Sequence, residues 1–231
     1  QLVIENDVPA LSGMIASARV EEDELSPSHN PADLSTGITD NDAFTDVATL
    51  SNTALQAVVL PGADEPVTFS LNLSASGAVL DSSGNAVTSH GDALSWSVSS
   101  GVVQAVAGGR VILTVAQTAG TGTPNDPTDD VFTVNLQDQI DHANASGDNG
   151  TKTLDLTPAF SAKDNDGDAV DLNGAGNDQR PIRLVVENDV PALSGNPASV
   201  RVEEDELSTA APGAGQPPAD LSNGITDNDA F

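Results

Sequence analysis

VFTVNL, residues 131–136, sets Phe132, Val134 and Leu136 on one side of an extended chain and Val131, Thr133 and Asn135 on the other. VTFSLNL, residues 67–73, repeats the pattern, with Val67, Phe69, Leu71 and Leu73 alternating with Thr68, Ser70 and Asn72. Successive side chains of a strand point to opposite faces, so each run reads as a half-buried antiparallel strand. Working outward, the same period predicts strands at 16–22, 54–60, 66–73, 93–98, 101–106, 110–116, 130–136, 151–162 and 181–187. Between them lie LPGADEP, DSSGNAV, GTGTPNDPTDD, ASGDNG and NGAGND, rich in the residues that make turns. No long 3.6-residue apolar stripe occurs, and the best helical candidate is the short piece 138–143. The expected fold is all-β, an antiparallel β-sandwich, with Phe69, Trp96, Phe132 and Phe160 as the large core members.

The two ends of the chain carry the same sequence. LVIENDVPALSG at 2–13 returns as LVVENDVPALSG at 184–195, RVEEDELS at 19–26 returns unchanged at 201–208, and DLSTGITDNDAF at 33–44 returns as DLSNGITDNDAF at 220–231. The offset, 182 residues for the first two stretches and 187 for the third, is the length of a domain rather than of a solenoid turn. The expected organisation is therefore a window on a tandem array. Residues 1–9 are the last strand and linker of one module, 10–191 a complete module, and 192–231 the start of the next. Pro9 and Pro191 stiffen the linkers.

Thirty-five acidic residues against seven basic ones give a net charge of −28, which excludes a nucleic-acid role resting on phosphate neutralisation and disfavours anionic membranes. Cations are the natural partner. Without cysteine there is neither a disulfide framework nor a thiolate metal site, so bound metal is the expected staple. No 18-residue apolar run and no basic-then-apolar leader is read in this window.

The acids are grouped. KDNDGDAVD brings Asp164, Asp166 and Asp168 into alternation around Gly167, with Asp171 three residues on. Loops of this kind converge carboxylates on Ca2+, which takes six to eight oxygens. The spacing is not that of an EF-hand, and a solvated hairpin turn is the plain alternative. The linker motif ENDVP supplies Glu5 and Asp7 in one copy and Glu187 and Asp189 in the other. If the last strand runs toward the trailing end of the module, the turn at 164–171 lies at the leading end, near Glu5 and Asp7, and calcium sits in the joint. Glu22 and Asp23 in EEDEL, and Asp40 and Asp42 in TDNDAF, recur in both copies and are further candidate ligands; Asp126, Asp129 and Asp130 are weaker ones.

The IENDVP and VENDVP linkers, the VEEDEL first strand, the FTVNLQDQIDH segment and the LDLTPAFSAKDNDGDAV hairpin together resemble the tandem repeat domain of large RTX adhesins exported by bacterial type I secretion. The resemblance covers the whole module. It implies an immunoglobulin-like or cadherin-like extender on the bacterial cell surface, stiffened by Ca2+ at its junctions, holding an adhesive region away from the cell in attachment or biofilm formation. It also implies junction ligands at Glu5, Asp7, Asp164, Asp166 and Asp168, and again at Glu187 and Asp189. The GGxGxD nonapeptides of RTX proteins do not occur here.

No catalytic motif appears. His29, His90 and His142 are scattered, and there is no HExxH, GxSxG, P-loop or GxGxxG in a strand-turn-helix setting, so no enzyme is expected. The expected partners are neighbouring modules of the same chain, with a host or biofilm ligand met through other regions. Two other readings are a sandwich whose loops bind glycan or protein with calcium as a bridge, and a subunit of an extracellular filament.

Overall fold

A computed structural model describes residues 9–22, 25, 45–63, 65–120, 127–143, 150–173 and 179–188. The chain separates into compact units 1–192 and 193–231, and every described residue lies in the first. Its strands are Ala10–Leu11 (β1), Ala16–Glu21 (β2), Val47–Ser51 (β3), Val59–Leu60 (β4), Thr68–Leu71 (β5), Gly77–Ala78 (β6), Thr88–Ser89 (β7), Asp92–Ala93 (β8), Ser95–Ser99 (β9), Val102–Ala107 (β10), Arg110–Thr118 (β11), Val131–Leu136 (β12), Thr151–Asp155 (β13), Phe160–Lys163 (β14) and Ile182–Glu187 (β15). The one α-helix among the described residues is Asn52–Gln56 (α1). The fold is all-β, in several sheets.

The largest sheet runs β3-β12-β11-β10-β9-β6, antiparallel throughout. A second sheet runs β13-β15-β2, and its β15–β2 pair is parallel, with Ile182 beside Ala16 and Glu187 beside Glu21. Smaller pairs join β14 to β5, β1 to β4 and β7 to β8. One face of each larger sheet feeds a single core. Phe132, Val134 and Leu136 of β12 are buried on alternate positions, as are Val103, Ala105 and Ala107 of β10, Ala16, Ala18 and Val20 of β2, and Ile182, Leu184 and Val186 of β15. The four aromatics expected in the core are all buried there. Phe132 and Phe160 meet edge to face at 5.1 Å, and the small residues Gly77 and Ala105 flank Trp96, leaving room for its indole.

Three expectations from periodicity are corrected. Residues 54–60 are not one strand. Ser51 caps a helical turn by accepting a hydrogen bond from the Ala54 N–H at 3.1 Å, Leu55 is driven into the core, and only Val59–Leu60 is extended. Residues 151–162 are two strands in different sheets. Pro158 has no N–H to give a ladder, and the 3-10 turn Thr157–Ala159 redirects the chain from β13 to β14, its Thr157 N–H held by Asp155 Oδ1 at 2.9 Å. Residues 138–143 are not helical. Separate anchors hold them, among them Asp138 N–H to Ile112 C=O at 3.3 Å and Asp141 N–H to Thr88 C=O at 2.7 Å.

That last segment carries a pH-dependent contribution. Burial raises the pKa of Asp138, but hydrogen bonds from His90 and the Gln139 N–H and the charges of Arg110 and His90 outweigh it and hold the carboxyl below its ordinary value. A depressed folded pKa stabilises the fold above the unfolded carboxylate range, about 3.9, and the stability is lost as pH falls through the lower folded value. Asp138→Asn is therefore less thermostable than wild type at pH 6, and the two converge below pH ~3 in thermal melts. A gap that persists unchanged at pH ~2 contradicts this assignment.

Candidate metal centre

Asp164 follows β14 directly, and the turn it opens is closed by Asp164 itself. Its N–H donates to Asp168 C=O at 3.0 Å, while its Oδ1 accepts from the Gly167 N–H at 3.0 Å and the Asp168 N–H at 2.7 Å. Gly167 stands at φ 100°, a conformation that costs glycine nothing and a side chain much. The chain then returns alongside β14, with Ala169 opposite Lys163 and the Val170 N–H donating to Ala162 C=O at 2.9 Å. The expected hairpin is present.

The turn gathers Asp164, Asp166 and Asp168, whose ligand oxygens lie within 4.8 Å of one another. This group could hold a metal ion. Asp164 is only 5% exposed, and its Oδ2 makes no hydrogen bond. A buried polar oxygen left without a partner costs about 1–3 kcal/mol. No hydrogen bond reaches it, and the carboxyls of Asp166 and Asp168 lie close by. A hydrogen bond with Asp164 first, then burial and the Asp164 charge, hold the Asp166 carboxyl above its ordinary pKa. An all-oxygen, all-carboxylate donor set suits a hard cation such as Ca2+ or Mg2+ and not a thiophilic metal.

The position of the turn follows from the hydrogen bonds around it. Near the start of the described chain, Ser12 donates through Oγ to Ala57 C=O at 2.7 Å, just after α1. From α1, Asn52 Nδ2 reaches Phe69 C=O at 3.3 Å and Gln56 Nε2 reaches Val67 C=O at 3.0 Å, and Thr68 pairs with Lys163. The acidic turn therefore shares the leading end with the incoming chain. β2 and β15 run together away from that end for six residues, about 17 Å at 3.3 Å per residue.

At the far end stand two more of the candidates, Glu187 and Glu22. Glu187 is buried and forms an ion pair with Arg19 of β2, which also lies 3.9 Å from Glu21. Glu22 accepts the Ile140 N–H on Oε1 at 2.7 Å, and the same oxygen lies 3.4 Å from His142 Nε2, both side chains about 95% buried. Asp171 is exposed and accepts the Asn173 N–H at 3.1 Å, outside the triple cluster. Glu5, Asp7, Asp23, Asp40, Asp42 and Asp189 lie outside the described residues. Sequence reasoning missed the Glu22–His142 pair and the buried Asp155–Arg180 pair, 3.5 Å apart. For Glu22 a signal existed: it continues the even-numbered, buried phase of Ala16, Ala18 and Val20.

Comparison of the chain with protein-family models, with curated proteins and with solved structures finds no match. Among the described residues no helix is long and apolar enough to cross a membrane.

Proposed function

We propose that the protein is a structural extender: an immunoglobulin-like or cadherin-like β-sandwich module, repeated in series and stiffened by Ca2+, in a large adhesin on the bacterial cell surface. The observation that carries this reading is the unpaired, buried Asp164 Oδ2 inside a triple-carboxylate turn at the leading end of the module. A cation there would be held by Asp164, Asp166 and Asp168 and would lack several of the six to eight oxygens Ca2+ takes. The linker that delivers the chain to that end carries Asp7, three residues before the first described strand, β1. Its carboxylate completes the site in this reading and ties the linker to the module. Glu187, the counterpart of Glu5 in the repeated linker, is ion-paired with Arg19.

Two sheets facing one core support the sandwich, and near-identical repetition supports reach over recognition, since copying a module lengthens a stalk without adding a new ligand site. The role is mechanical, with no catalytic step.

Small-angle scattering on a protein spanning two complete modules tests the joint. Chelation shortens the maximum dimension while the β circular dichroism signal remains, and Asp7→Ala combined with Asp166→Ala reproduces that shortening in the presence of Ca2+. Asp166 is exposed and Asp7 precedes the first described strand, so each module stays folded. A double variant as extended as wild type shows that the cation does not bridge the linker.

A further inference from the structure

We infer that the β2–β15 pair is the element of the module that resists tension, a ladder placed so that a pull along the chain stretches all of its rungs together. β2 and β15 are near the beginning and the end of the module, and they are parallel in the register Ala16–Ile182 to Glu21–Glu187. Tension applied through the two ends of the chain draws β2 backward from its Ala16 end and β15 forward from its Glu187 end. For parallel neighbours these pulls are opposed along one axis, so the hydrogen bonds, evenly spaced in a parallel ladder, share the load. The ladder continues past the strand ends, with Ala16 N–H donating to Pro181 C=O at 2.8 Å and Glu22 N–H to Glu187 C=O at 3.2 Å. Among the described residues β15 is the one strand of the sheet that pairs with β2, which otherwise gains only the bond from Glu21 N–H to Thr45 C=O at 3.1 Å.

Side chains reinforce it. Arg19, opposite Val185, reaches along the strand to Glu187, and forward displacement of β15 pulls that carboxylate away from the guanidinium. Ala16, Ala18 and Val20 face the core together with Ile182, Leu184 and Val186, so sliding the strands also disturbs buried apolar contacts. The two-residue pairing of β1 with β4 lies earlier on the force path and yields first, releasing little chain. This inference goes beyond the calcium reading and stands on topology alone.

The test compares two pulling directions on the full chain in Ca2+ by single-molecule force spectroscopy. The first pulls from the chain ends. The second uses handles on Gly150→Cys and Asn188→Cys, which are unique attachment points because the chain has no cysteine. These two positions share a hydrogen bond, Asn188 N–H to Gly150 C=O at 2.9 Å, at the open end of the antiparallel β13–β15 pair, so this pull peels β15 and β13 apart one rung at a time. The end-to-end pull gives a peak force several-fold above the peel. Its main event releases the 172 residues from Ala16 to Glu187, about 570–620 Å of contour at 3.3–3.6 Å per residue. Arg19→Ala, checked for folding by its melting transition, lowers the end-to-end peak and leaves the peel unchanged. Equal peak forces in the two directions overturn the inference, and an unaltered end-to-end peak in Arg19→Ala overturns the role of the ion pair. A failed scattering test of the joint leaves both results standing.

Discussion

Moving the protein from millimolar Ca2+ into EGTA lowers its melting temperature by about 5–9 °C for each ion lost. The size follows from mass action. A site with a dissociation constant of about 10⁻⁴ M, at ~5 mM Ca2+, stabilises the folded state by about 2.3 kcal/mol, and a domain of this length gains about 2–4 °C per kcal/mol. Asp166→Asn separates the site from the general charge of the chain. Asp166 is exposed, and the hydrogen bonds that Asp164 Oδ1 accepts to close the turn do not use its carboxylate, so the variant keeps the hairpin and removes one ligand. It also removes the carboxyl whose pKa is held up by its contact with Asp164, first through a hydrogen bond and then through like charge. The variant therefore melts no lower than wild type in EGTA and loses most of the gain in Ca2+. Equal melting temperatures for wild type with and without the ion sink the metal reading.

Trp96→Ala destabilises the protein by about 3–5 kcal/mol, or about 6–20 °C in melting temperature, as expected when a large core side chain leaves a cavity. Trp96 is 4% exposed, near the start of β9 between Gly77 and Ala105, small neighbours that cannot swell to fill the space. The indole N–H has no hydrogen-bond partner. Trp96→Phe removes that orphan donor and most of the bulk remains, so it costs much less than the alanine variant. As the single tryptophan of the chain, Trp96 gives a blue-shifted emission in the folded protein. A solvent-like emission maximum in Ca2+ contradicts the packing.

Long alternating strands were legible because their burial pattern is their sequence pattern: β10 and β12 each bury every second residue. β3 escaped notice because VATLS offers only Ala48 and Leu50 on its inner phase, and pairing with β12 rather than its own apolar content fixes it. Two-residue strands such as β1, β4 and β6 exist through tertiary hydrogen bonds and carry no period of their own. α1 is too short to show a helical stripe; its signal was Ser51 as a cap. At the acidic turn, the spacing of Asp164, Asp166 and Asp168 around Gly167 was enough to bring the three carboxylates together, while Asp171 stands outside that group and accepts a hydrogen bond in its own local turn. The burial of Glu22 and Glu187 depends on Ile140, His142 and Arg19, which come from elsewhere in the chain, so counting neighbouring acids could not reveal it.

The parallel pairing of β2 with β15 also bears on how a chain of near-identical copies finds its correct partners. β2 must wait for a strand that begins 166 residues later, which makes closure of the module slow, since distant pairings have to overcome loop entropy before they are rewarded. Meanwhile a decoy stands much closer: Leu2–Glu5 reads LVIE, against LVVE at Leu184–Glu187. An antiparallel arrangement would let β2 fold straight back onto that decoy through a tight turn. A parallel one needs a crossover of about a dozen residues or more, and only residues 6–15 separate the decoy from β2. Strand direction thus discriminates where sequence cannot, and steers β2 to close on Leu184–Glu187 rather than on Leu2–Glu5.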